Sequence, residues 1–451
     1  MDDLLDDLPA KFRAPLRQVL SAVATSLWVT PLIAGVIAAG LAVVLGQTDP
    51  IGDLLPSPLQ LADAAAARSA LSSILGATIA ATSLVITGTI VALQLATGQY
   101  SPRLLRGVLT DRGVRWTLAS LVGIVTYTIV LIGSVTEAAV PRTAIAVGLV
   151  SGVAVIGLLV YFVHHIIQKL RLETIVGDVT KRTLAAISAT HRDDHRDLDD
   201  AAVPTDAVPV EALRSGYVQA ASLSALARAA GKHGVTVRVR PRVGDFLVAG
   251  TTAAWVWSVD GDDHEQLADD DLTTLATRID AALALGDDRT LEGDPAYGLR
   301  HLVDIGLRAV SPGINDPTTA VQVIHHATRL LVELSRRPVT HGVASHDGGR
   351  AVLPRPDLAA HFELAQSQLL QYGGGDARVV EALAGQLRDV VEAGTRVERL
   401  DLVRTHVQRI RTDLERRDHH PADAAIVTTA LERVETVLED RTPDDEDSTA
   451  G

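Results

Sequence analysis

The stretch from Leu71 to Gln99, LSSILGATIAATSLVITGTIVALQLATGQ, carries no charged side chain. A charge at the bilayer centre costs about 2.5 kcal/mol or more, whereas about twenty apolar residues in a helix cross a hydrocarbon layer about 30 Å thick. Three further apolar stretches lie in the first third of the chain. The expected spans run from Ser26 to Leu45, Leu71 to Thr97, Val114 to Thr136 and Thr143 to Val163. The expected fold class is an α-helical membrane domain of four transmembrane helices followed by a cytoplasmic α+β region, a small β module and then a helical bundle. The domains expected are a cytoplasmic N-terminus (1–25), the membrane domain (26–168), a linker (169–210), a β-rich module (211–262), a mainly helical domain (263–440) and an acidic, disordered tail (441–451).

Lys and Arg resist translocation, so their placement sets orientation. Lys11, Arg13 and Arg17 precede the first span, Arg103, Arg106, Arg112 and Arg115 separate the second from the third, and Lys169, Arg171, Lys181 and Arg182 follow the fourth. The opposite loops hold only Arg68 and Arg142. Both termini are therefore expected on the inner side of the membrane. The opening MDDLLDDLPAKFRAPLRQ is acidic and leads into a segment too long for a signal-peptide core, so it reads as uncleaved. Ser101-Pro102 fits a helix start, and the arginines after it are candidate contacts for lipid phosphate in an interfacial helix. An ordinary positive-inside loop is the plainer reading.

Thr78, Thr82 and Thr89 share one face of the second span, within about 40° at the helical rotation of about 100° per residue. The stripe can line an aqueous path, or its hydroxyls can bond back to the preceding turn. Gly148 and Gly152, like Gly35 and Ala39, are small residues four apart that permit close helix approach, within or between subunits. No acid or base lies inside a span, which disfavours a proton-coupled carrier with a buried carboxylate relay.

The formal charge of −14 gives the polar part no basic field for nucleic acid, and the absence of cysteine excludes disulfides and thiolate chemistry. His191 and His195 stand four apart beside Asp193 and Asp194, a spacing that can hold a metal ion on one helical face, but the proline-bearing composition reads as a solvated tether. Beyond it, SGYVQ and VTVRVRPRVGDFLVAGTTAAWVWS alternate around Gly244-Asp245 and Gly250, as strands with tight turns do. This resembles the small barrels that carry lipoyl or biotinyl groups, but no lysine occupies the turn, so no attached cofactor is expected. From about Asp271 onward helices are expected, with Gly286, Gly373 and Gly394 as stops and Asp294-Pro295, Asp316-Pro317, Asp376 and Pro421 as starts. Ser311-Pro312-Gly313-Ile314-Asn315-Asp316 reads as a tight corner with Gly313 at positive φ. It is either a plain helix hairpin or an anion site completed by Arg300 and Arg308.

Several motifs together resemble one family: Q-L-A-T-G-Q-Y-S-P-R-L-L from Gln94, S-G-Y-V-Q from Ser215, Arg289-Thr290, and D-I-G-L-R-A-V-S-P-G-I-N-D-P-T-T-A from Asp304. The chain is identified as similar to bacterial predicted membrane proteins grouped as a domain of unknown function. The resemblance implies four spans and a soluble C-terminal region, and it implies no activity. Gly231-Lys232 lacks the rest of a phosphate loop, and neither G-x-S-x-G nor H-E-x-x-H occurs. His325 and His326, with Arg329 one turn later on a helix, permit acid–base chemistry, and a polar helix face is the plainer reading. The leading expectation is a non-enzymatic homo-oligomer of channel or transport type in the lipid bilayer, with a cytoplasmic regulatory domain and no cofactor. The alternative is a sensor or scaffold that the spans merely anchor.

Overall fold

The computed structural model describes residues 28–48, 50, 56, 63–99, 111–137, 140–190, 203–259, 269–291, 293–337, 341–396 and 399–441, with side chains excluded at 95–99 and 170. The expected N-terminus, the acidic tail beyond Arg441, the His191–His195 segment, and Arg103 and Arg106 lie outside these residues, and Arg441 itself ends a helix. The chain divides into two compact units, Met1–Ile175 and Val176–Gly451.

Unit one holds four helices long and apolar enough to cross a membrane: α1 (Val29–Thr48), α2 (Ala64–Gln99), α3 (Arg112–Ser134) and α4 (Arg142–Leu170). Helix α3 packs against the other three. Accordingly 39% of the residues in its most apolar stretch are buried, against 17% in α1. Close approach is made by small residues. A Cβ on Gly148 would lie 2.7 Å from Leu71 and one on Gly152 2.9 Å from Ile74, while one on Gly35 would lie 3.3 Å from Thr126. The glycine pair of the fourth span therefore serves packing within this chain. Two apolar clusters fill the interior, one around Leu71, Tyr127, Leu131 and Ile145, the other around Val85, Leu121 and Phe162.

Unit two begins within α5 (Leu172–Thr190), whose Val176, Val179, Thr183 and Ile187 are buried. The stretch expected as linker thus opens with a packed helix. There follow β1 (Val208–Glu211), β2 (Gly216–Ala221), α6 (Leu223–Gly231), β3 (Val235–Val239), β4 (Phe246–Leu247), β5 (Thr252–Ser258), α7 (Asp269–Ala282) and β6 (Leu283–Gly286). Helices α8 (Pro295–Ala309) and α9 (Pro317–Arg336) precede the hairpin β7 (Gly342–His346) and β8 (Gly349–Leu353). Four helices complete the unit: α10 (Leu358–Gly373), α11 (Ala377–Glu392), α12 (Leu400–Arg416) and α13 (Pro421–Arg441).

One sheet has the order β1-β5-β3-β8-β7 and the other β4-β2-β6. All pairings are antiparallel except β3 with β8, where Val237 stands opposite Ala351. Gly244 and Gly250 take positive φ in the expected turns, at 97° and 80°. The region expected to be mainly helical also supplies three short strands, β6 to β8. One expectation changes. Gly286 ends a strand rather than a helix, because Leu283 and Leu285 alternate in register with Ala221 and Val218.

Candidate functional site

In the corner joining α8 to α9, Asp316 caps α9. Its carboxylate accepts the Thr319 amide at 3.1 Å and hydroxyl at 2.6 Å. These bonds to Thr319 hold the carboxyl below the ordinary carboxylate range. The expected positive φ is not at Gly313. Amides of Ile314 and Asn315 both donate to the Ser311 carbonyl, at 3.0 and 2.9 Å, so the turn continues past Gly313 and reverses at Asn315, φ 51°. Asparagine tolerates that region better than most residues. Ser311 donates to the Arg308 carbonyl. Arg300 pairs with Asp304 at 2.8 Å and donates to Gln368 at 2.6 Å, so its guanidinium is committed within the helical bundle.

The other end of α8 gathers motifs that lie far apart in sequence. Asp294, 2% exposed, caps α8 through the Tyr297 amide and accepts two bonds from Arg289, at 2.6 and 2.8 Å. Burial pushes the Asp294 carboxyl up, although Arg289 and the Tyr297 amide oppose it. Arg289 also lies 4.9 Å over the Tyr297 ring. Gly244 is seated against this pair, where a Cβ would strike Asp294. Gln219 donates to the Asp288 carbonyl at 2.7 Å. Through the Gln219 bond to Asp288 and the Gly244 amide bonded to the Val218 carbonyl, the S-G-Y-V-Q motif borders the ion pair of Arg289 and Asp294.

His325 and His326 meet different surroundings. His326 Nδ1 lies 2.9 Å from Thr180 Oγ1, whose own hydrogen goes to the Val176 carbonyl at 2.7 Å, so the imidazole donates. Burial, Arg329 and His325 lower its pKa. His325 instead faces a shallow groove between α9 and α11, with cavities of about 440 and 460 Å³ that share His325 and Asp389. Among the described residues no group of His, Cys, Asp and Glu has the arrangement of a metal site.

In α2 the threonine stripe faces inward. Thr78 and Thr89 are buried, and Thr78, Thr82 and Thr89 each donate to the carbonyl four residues back at 2.7 Å. About half a turn away the same helix leaves a different face uncovered. Ser69, Ser73, Gly76, Ala80, Ser83, Thr87 and Gln94 are all exposed, within an arc of roughly 80°. Val91 is the one bulky apolar residue in that arc among the described ones. Exposed faces of α1 and α4 are instead bulky and apolar, with Leu32, Val36 and Ile37 on one and Val150, Val153 and Ile156 on the other. Hydropathy averaged over the helix hides this face; only the knowledge of which side is covered reveals it.

A charged cluster joins the start of α3 to the end of α4. Asp111 caps α3 through the Val114 amide at 3.0 Å, and its Oδ1 lies 2.7 Å from His165 Nε2 while Oδ2 lies 3.3 Å from Lys169 Nζ. Burial acts to raise this carboxyl, and the Val114 amide, His165 and Lys169 together bring it below the ordinary range. Of the four arginines expected at lipid phosphate, Arg112 and Arg115 flank this cap, the first exposed and the second half-buried. The arginines stand out by their clustering in sequence, whereas Asp111 and His165, 54 residues apart, share no local pattern.

Four apolar helices followed by a mixed sheet-and-helix unit define a multi-pass membrane protein with a large polar domain. Residues 24–389 match the family described as predicted membrane protein DUF2254, and the chain belongs to it. Uncharacterized proteins of Mycobacterium bovis and Mycobacterium tuberculosis are 28% identical over 442 residues, covering 94% of this chain and 82% of theirs. No solved structure matches the chain.

Proposed function

We propose that the protein is a non-enzymatic, homo-oligomeric membrane protein of channel or transport type, with both termini inside the bacterial plasma membrane and unit two as its regulatory part. The observation that carries this reading is the uncovered small and polar face of α2. Ser73 donates to the Ser69 carbonyl of its own helix, while small residues such as Gly76 and Ala80 admit a neighbouring helix closely and the Gln94 amide suits water or a partner helix better than lipid. The apolar interior of unit one supports a path between subunits rather than through one. Light scattering of detergent-purified protein tests this reading. An oligomer that Gly76→Leu with Ser83→Leu dissociates is the expected result, and a strict monomer overturns it. A reporter fused to the C-terminus that is active outside the membrane would overturn the orientation.

The inward, self-satisfied threonines favour a second reading, in which the spans only anchor unit two. Exchanging all four spans for an unrelated anchor preserves the cellular phenotype under that reading and abolishes it under the first.

A further inference from the structure

The two faces of the five-stranded sheet in unit two differ in chemistry. On one, Val237, Val239, Ala254, Val256 and Ala351 are buried in an apolar core with α6 and α7. Strand alternation sends the intervening side chains to the other face. There the register sets Trp257 and Arg350 on either side of Thr236, and Trp255 and Val352 on either side of Arg238. Both tryptophans and both arginines are half-buried, and no acidic residue occupies an outward position of β3, β5 or β8, in a chain of net charge −14. Arg238 meets a second basic group, His341, whose Nε2 lies 3.5 Å away. The Nε of Arg350 is buried with no hydrogen-bond partner among the described residues. We propose that this face binds a nucleoside di- or triphosphate, with the base stacked on a tryptophan ring and the phosphates on Arg238 and Arg350.

The chemistry of these four side chains selects that class. Indole rings stack on any base, since every base presents a π face. Guanidinium groups match phosphate oxygens through parallel N–H donors, and a phosphate would supply the acceptor that the Arg350 Nε lacks. Adjacent strands lie about 5 Å apart, so Arg350 stands about 10 Å across β3 from Trp257. That separation is too wide for a bare phosphate or a bare base to bridge, and a nucleotide with a short phosphate chain spans it. A nucleic-acid strand would bring many further phosphates against an acidic chain. A bilayer is a poorer match, because rings half-buried within a sheet face offer a headgroup layer little apolar area to take up. The inference concerns unit two alone and stands whether or not the spans conduct.

Of the four tryptophans, Trp28 and Trp116 belong to unit one and are exposed. Full-length protein in detergent carrying Trp28→Phe and Trp116→Phe therefore reports on Trp255 and Trp257 alone by fluorescence. ATP should quench this emission saturably, and AMP should bind roughly five-fold more weakly for want of the outer phosphates. Inorganic triphosphate should displace ATP without quenching of its own. Arg350→Gln should weaken ATP binding roughly ten-fold, and Arg350→Lys, which keeps the charge without the planar fork, should weaken it by a smaller factor. The absence of saturable quenching by ATP, equal quenching by inorganic triphosphate, or an affinity unchanged in the Arg350 variants overturns the proposal. So does a response to mixed micelles containing phosphatidylglycerol that ATP does not produce. Arg350→Lys retains the charge and the aliphatic stem, so the test stands where Arg350→Gln fails to fold.

Discussion

In unit one, Thr78, Thr82, Thr89 and Thr128 spend their hydroxyls on the carbonyl four residues back in their own helix. In unit two, Arg399 donates to the Ser335 carbonyl at 2.7 Å, Arg337 to Ile187 at 3.3 Å and Arg417 to Gln371 at 2.9 Å, each joining separate helices. Buried Gln366 and Gln386 likewise bond each other and Thr328 across three helices. The difference follows from the side chains each unit carries. A short threonine hydroxyl reaches its own preceding turn in either unit, as those of Thr180 and Thr328 also do. Long side chains join elements, and unit one holds few of them, among them Tyr127 donating to the Ala144 carbonyl and Arg68 to that of Val135. Mutations should therefore separate polar groups by whether they have a distant partner.

The largest expected effect lies at Asp294→Ala, which leaves the Arg289 guanidinium unpaired beside a buried face and should cost about 3–5 kcal/mol in chemical denaturation of unit two. A loss below about 1 kcal/mol would show the pair to be replaceable by water. Next comes a glycine in each unit. A Cβ at Gly298 would strike Thr183 of α5, whereas one at Gly157 of α4 meets nothing within 4 Å. Gly298→Ala should cost about 1–3 kcal/mol, and Gly157→Ala should leave the thermal midpoint unchanged or slightly raised. Equal losses at both sites would contradict the open lipid-facing surface of α4.

Smaller is Asp316→Ala, expected to cost about 1 kcal/mol through the lost cap. Since the folded carboxyl lies below its unfolded value, its contribution is complete above about pH 4 and fades as pH falls through the lower folded value. The difference in melting temperature between parent and variant should therefore shrink in acid. Asn315→Gly should be tolerated, and Asn315→Ala should cost about 1–2 kcal/mol at the positive φ. The smallest effect is Thr82→Val, within about 0.5 kcal/mol, because its hydroxyl serves only its own helix. A larger loss would assign Thr82 a partner beyond it.

The sequence by itself determined what depends on neighbours within a turn or two. Unbroken hydropathy set the four spans, and the Asp-Pro pairs at 294–295 and 316–317 set two helix starts, since a capping carboxylate finds its amide three residues on. Tertiary structure alone decided the pairing of β3 with β8, the union of Arg289 and Asp294 with Gly244, and the meeting of Asp111 with His165. It also decided which face of α2 is covered, since both faces are rich in small and hydroxyl residues and only packing against α3 and α4 turned the threonine stripe inward. Such choices rest on which surfaces a closed chain brings together, and loop closure and burial leave no local pattern from which to read them.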